Sequence, residues 1–92
     1  MNENKKEIYA YMMEKLINHF RTRTDVQNID IMNLAGFCRN CLSKWYVEGA
    51  NEAKIDIDYE KARELIYGMP YGEWKLKYQT EVSKEKLEMR KK

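Results

Sequence analysis

The sequence predicts an all-helical domain, on three observations. Apolar residues recur with the 3.6-residue period of a helix over two long stretches. One proline and four glycines in 92 residues are too little punctuation for a sandwich or barrel of many short strands. Charged residues make up 35% and apolar ones 43%, which fits a folded helical chain better than a disordered one. The length suits one domain. A domain this small buries a modest share of its surface, so self-association would add to its stability.

The first predicted helix covers about residues 4–22. Tyr9, Met12, Met13, Leu16, Ile17 and Phe20 fall on one side, and Glu7, Glu14, Lys15, Asn18 and Arg21 on the other. TRTDVQN breaks this pattern, and Asp25 or Asn28 is the expected cap of the next helix. The second helix, about 29–50, is expected to be central. Ile31, Leu34, Ala35, Cys38, Cys41, Leu42, Trp45, Tyr46 and Gly49 fill an arc of about 140° that contains no charged or amide residue. The first helix is expected to pack on that arc.

After GANEAK, Asp56 or Asp58 can cap a short third helix reaching about 67, with Asp58 the expected cap and Gly68 suited to the turn that ends it. Pro70 fits the first turn of a fourth helix, about 70–82, with Tyr71, Trp74 and Tyr78 on one face. Leu65, Tyr71 and Trp74 are expected to close the core. Residues 1–80 thus read as one four-helix domain. Residues 81–92 read as a charged tail, either a frayed helix continued by Val82 and Met89 or disordered.

Two segments, TDVQNIDIMNLAGFCRNCLSKWY and ARELIYGMPYGEWKLKYQ, closely resemble a family of short bacterial proteins known as domain of unknown function 1244. The resemblance covers about residues 17–80. It implies a small all-helical fold and brings with it no activity, ligand or catalytic residue.

Charge and hydropathy narrow the function classes. Seventeen basic against fifteen acidic residues give a net charge of +2, and the tail alternates in sign, so nucleic-acid binding is disfavoured. No apolar run approaches the roughly 18–20 residues of a membrane span. MNENKKEIY lacks a signal-peptide core. The expected location is the cytosol, where two cysteines are reduced thiols or ligands rather than a structural disulfide.

Cys38 and Cys41 have three readings. Redox chemistry favours a helix N-terminus, where free N–H groups support a thiolate. The predicted helix places both cysteines about ten residues into its interior, without that support. A metal site for zinc or iron needs further ligands, and His19 is the only histidine. In an antiparallel pair of helices His19 falls five or six residues from the cysteine level, roughly 8–9 Å along the axis. The third reading, two small apolar residues in the core, needs no other ingredient. His19 reads as a boundary residue of the first helix.

The reverse side of the second helix carries Met32, Asn33, Gly36, Arg39, Asn40 and Ser43, either covered by the third or fourth helix within the monomer or, as the expected contact surface, meeting a second copy or another protein. Gly36 is out of place in a helix interior, where it costs roughly 1 kcal/mol against alanine. The sequence therefore points to a small cytosolic interaction or scaffold module, homodimeric, with no catalysis or cofactor of its own. The alternative is a metal-dependent or thiol-dependent protein built on Cys38 and Cys41.

Overall fold

The structure, a computed structural model, describes residues 2–85 and 88, and side chains from residue 4 onward. It is all-helical, with no strand among the described residues. Five bounded helices follow in order among the described residues: α1 (Asn2–Thr22), α2 (Asn28–Ala35), α3 (Arg39–Glu52), α4 (Tyr59–Tyr67) and α5 (Tyr71–Tyr78). None of the described helices is long and apolar enough to cross a membrane.

The expected second helix is two helices. Gly36 adopts φ +80°, and its N–H closes α2 on the carbonyl of Met32 at 2.9 Å. That left-handed conformation is the usual helix stop, and glycine takes it without a Cβ clash. Phe37 and an extended Cys38 then lead into α3. The break changes the phase of the helix, so the predicted apolar arc is divided. Ile31, Cys38 and Leu42 are buried, whereas Leu34 is 90% exposed and Trp45 and Tyr46 lie at the surface.

The expected central helix gives way to α4, which packs against α3, α1 and α5. Asp58 caps it by accepting from the N–H of Lys61 at 2.8 Å. Ala62, Ile66 and Tyr67 point inward, and Leu65, expected in the core, is 38% exposed. Gly68 ends the helix at φ +80°. A Cβ there would meet Cδ of Arg21 at 3.1 Å, so α1 crosses close over this turn. Arg21 holds the crossing by donating to the carbonyl of Leu65.

The core joins Ile17 of α1, Leu42 of α3, Ile66 and Tyr67 of α4 and Trp74 of α5, with Phe20, Met69, Tyr71 and Tyr78 around them. Only the last two turns of α1 contribute. Ile8, Tyr9, Tyr11, Met12 and Met13, most of them expected to be buried, are exposed on the part of α1 that precedes the core. A 21-residue helix is about 31 Å long, and the molecule is correspondingly elongated, 46 × 25 × 23 Å.

Helix α5 stops earlier than the expected residue 82, for a local reason, and residues 84, 85 and 88 of the expected tail are again helical. Gln27 donates to the carbonyl of Tyr78 at 2.8 Å and accepts from the N–H of Thr80 at 3.1 Å. This side chain satisfies the end of α5 in place of another helical turn. Val82 therefore lies beyond the helix, half-buried on the same side as Tyr71 and Trp74. Met89, with residues 86, 87 and 90–92 of the expected tail, lies outside the described residues.

The two glycines of opposite character give a stability test. An alanine Cβ at Gly36 or Gly72 would have no atom within 4 Å, so only the backbone distinguishes them. Gly36→Ala forces φ +80° on a residue with a Cβ and should cost about 1–2 kcal/mol. Gly72→Ala lies within α5 and should stabilise by roughly 0.5–1 kcal/mol. Urea unfolding of both variants checks the opposite signs.

Candidate functional site

The α2–α3 break places Arg39 at the first position of α3, pointing inward, with 1% of its surface exposed. Its guanidinium donates to the carbonyl of Val26 at 2.8 Å, the amide oxygen of Asn28 at 3.0 Å and the carbonyl of Arg23 at 2.8 Å. A longer contact of 3.5 Å reaches the carbonyl of Phe20. The guanidinium carbon lies 4.9 Å from the ring centre of Trp74 and 5.4 Å from that of Phe20. Burial pulls the Arg39 pKa down, yet arginine stays protonated in proteins. The site is thus a buried cation held by carbonyl dipoles and two aromatic faces.

A polar chain runs on from it. Asn28, bonded through its oxygen to Arg39, donates through its nitrogen to the Tyr67 hydroxyl at 2.9 Å. That hydroxyl donates to Oδ1 of Asn40 at 2.7 Å. Burial pushes the Tyr67 pKa up, although the hydrogen bond from Asn28 works the other way. Asn28, Arg39, Asn40 and Tyr67 thereby tie the starts of α2 and α3 to the end of α4. Beside them opens a cleft of about 200 Å³, lined by Gln27, Asn28, Cys38, Asn40, Trp74 and Gln79 among others.

Cys38 and Cys41 stand where the chain enters α3, not ten residues into a helix. Cys38 is the N-cap and Cys41 the third helical residue. These two positions face each other in a capping box, whose side chains reach toward one another across the first turn. Their sulfurs are 3.9 Å apart. Cys38 is buried and Cys41 half-buried, and both are free. Burial pushes the Cys38 thiol up, against the backbone N–H groups of Cys41 and Asn40, which favour its thiolate.

The expected metal set is not assembled. His19 is exposed in the last turn of α1, among Tyr9, Tyr11 and Met12 rather than beside the cysteines. No group of three or more His, Cys, Asp or Glu side chains suited to a metal occurs among the described residues. The expected contact surface also divides. Arg39 and Ser43 are buried, the latter donating to the carbonyl of Arg39 at 2.8 Å. Asn40 is committed to Tyr67, while Met32 and Asn33 are half-buried and Gly36 is exposed at the break. The α2 cap is Gln27 rather than Asp25 or Asn28, and its side chain forms no cap bond. Asp25 pairs with Arg23 in the preceding turn, at 3.0 Å.

A family model described as Protein of unknown function (DUF1244) matches residues 26–92. The chain belongs to that family. No curated protein matches it. Within the DUF1244 chain, the two segments that carry the sequence resemblance meet at one place. Gln27, Asn28, Cys38 and Asn40 come from the first, and Trp74 and Gln79 from the second.

Sequence reasoning missed Arg39, Tyr67 and Gln27 as a group. One signal was present: glycine inside a predicted helix, three residues before an arginine. Read as a helix stop rather than as a misplaced interior residue, Gly36 would have placed Arg39 and both cysteines at a helix start.

The Tyr67 hydroxyl gives the next test. Tyr67→Phe leaves Asn28 and Asn40 without that partner and should cost about 1–3 kcal/mol at neutral pH. The sign with pH follows from the raised folded pKa. Stability is complete below the unfolded tyrosine value of about 10 and falls as pH rises from there. Denaturant unfolding between pH 9 and 11, a range of about two units set by that reference value, should show a shallower alkaline decline in Tyr67→Phe.

Proposed function

We propose that this chain is an interaction module that self-associates through the exposed part of α1, with the partner a second copy. The supporting observation is the stripe Ile8, Tyr9, Met12, Met13, Leu16. Four of its five members are large apolar residues exposed by 42–60%, on a helix whose core contacts begin only at its far end. Tyrosine and methionine are enriched in contact surfaces between proteins. The exposed apolar area is on the order of 400–500 Å², in the upper part of the range for the largest patch on a typical monomer. One such face from each of two chains, with its rim, approaches the roughly 1,200 Å² of the smaller stable interfaces.

Helical spacing makes the stripe self-complementary. Glu7 and Glu14 project from the opposite side of α1, so stripe-on-stripe packing buries no carboxylate. Met12 is the midpoint of the stripe. In an antiparallel two-fold pair it packs on its own symmetry mate. Lys5 and Lys15 lie 5.4 Å from the ring centres of Tyr9 and Tyr11.

Met12→Glu would place two carboxylates at the two-fold axis. It should weaken association by about 30-fold or more, a loss of about 2 kcal/mol. Light scattering at tens of micromolar chain (on the order of an ordinary micromolar dissociation constant) should report a dimer for the native chain and for Met12→Leu. Met12→Glu should shift clearly toward monomer at that concentration, with its helical circular dichroism intact. A native chain that stays monomeric at tenfold higher concentration contradicts the proposal.

A further inference from the structure

We propose that Cys38 and Cys41 form a dithiol that a small disulfide oxidises reversibly, Cys41 being the attacking sulfur and Cys38 the resolving one. Three observations carry it. The pair occupies the cap and third positions of a 14-residue helix, and the sulfurs are already in contact at 3.9 Å. The two differ in access: Cys41 is half-buried, while Cys38 is 7% exposed. Neither is committed to a disulfide or to a metal cluster among the described residues. A disulfide needs a sulfur separation of about 2.05 Å. The approach of roughly 2 Å is within reach of a side-chain rotation at Cys41, whose position is only partly enclosed.

The chemistry is an exchange with a low-molecular-weight disulfide of the glutathione class. The Cys41 thiolate attacks one sulfur of the small disulfide, whose S–S bond breaks. One small thiolate leaves and takes a proton from solvent, and Cys41 carries a mixed disulfide. Cys38 then gives up its proton and attacks Sγ of Cys41. The protein S–S bond forms, the mixed bond breaks, and the second small thiol departs. Two protein thiols are oxidised and one small disulfide is reduced to two thiols. The burial that keeps Cys38 protonated holds it out of the first step. The backbone N–H groups of Asn40 and Cys41 support its thiolate in the second. This is a stoichiometric modification of the chain, and it does not rest on self-association through α1.

The test uses the full reduced chain, exposed to oxidised glutathione while folded and quenched with an alkylating reagent. Intact-mass analysis should show the loss of two hydrogens, no retained glutathione, and reversal by excess reduced glutathione. Cys38→Ser should accumulate one glutathione adduct on Cys41. Cys41→Ser should acquire its adduct about tenfold more slowly or less, as expected of a buried thiol. Circular dichroism of each variant shows whether it is folded, and the native chain alone tests the disulfide. A folded native chain that forms no disulfide, or that stops at a mixed disulfide, overturns the pairing. Equal rates in the two variants overturn the assignment of the attacking sulfur. The same result in Met12→Glu as in the native chain is expected, since the dithiol and the α1 stripe act separately.

Discussion

The guanidinium of Arg39 is the constraint around which this small protein is arranged. A cation enclosed to 1% exposure has lost its water and must find equivalent partners inside the chain. It finds them in backbone carbonyls that would otherwise point into the same interior. The carbonyls of Arg23 and Val26 belong to the turn between α1 and α2, and Asn28 opens α2. The end of α1, the turn and the start of α2 are thereby fixed to the first residue of α3. The planar side chain also fills space between Phe20 and Trp74, which an ammonium on a flexible stem does not do. One residue thus supplies both polar satisfaction and part of the hydrophobic packing.

The rest of the site depends on that placement. Arg39 can point inward from the first position of α3 only because Gly36 stops α2 and Cys38 is extended. The same break puts the two sulfurs together at the helix start and leaves Cys38 on the wall of the cleft. Asn28 extends the polar chain to Tyr67 and Asn40, and Gln27, the residue before it, anchors the end of α5. A few hydrogen-bonded side chains thus fix how the elements around the apolar core meet. Among the described residues the exposed part of α1 shows no such anchors, and it carries the exposed apolar residues Ile8, Tyr9, Met12 and Met13.

Much of this fold was legible in the sequence. The period of α1, the Asp58 cap, the Gly68 stop and the aromatic face of α5 are local signals, and local physics decides them. Two features were not. A single apolar arc over residues 29–50 matched a long helix because apolar spacing alone does not register a change of phase across a three-residue break. The charge of Arg39 argued for an exposed face, since arginine is seldom buried unless paired. Its partners are carbonyls from elsewhere in the chain, and no sequence pattern marks a carbonyl. The amphipathic period of α1 was correct as a pattern, but it identifies an apolar face without identifying what covers that face.

The most direct test of Arg39 as the organising group is equilibrium unfolding of Arg39→Lys, read together with the reactivity of its thiols while folded. Lysine keeps the charge but has neither the fork that reaches Arg23, Val26 and Asn28 at once nor the plane that meets Trp74. A loss of about 2–4 kcal/mol is predicted, with Cys38 becoming accessible to alkylation before global unfolding. Stability within about 0.5 kcal/mol of the native chain, the usual scatter for a surface substitution, with Cys38 still protected, would contradict the account.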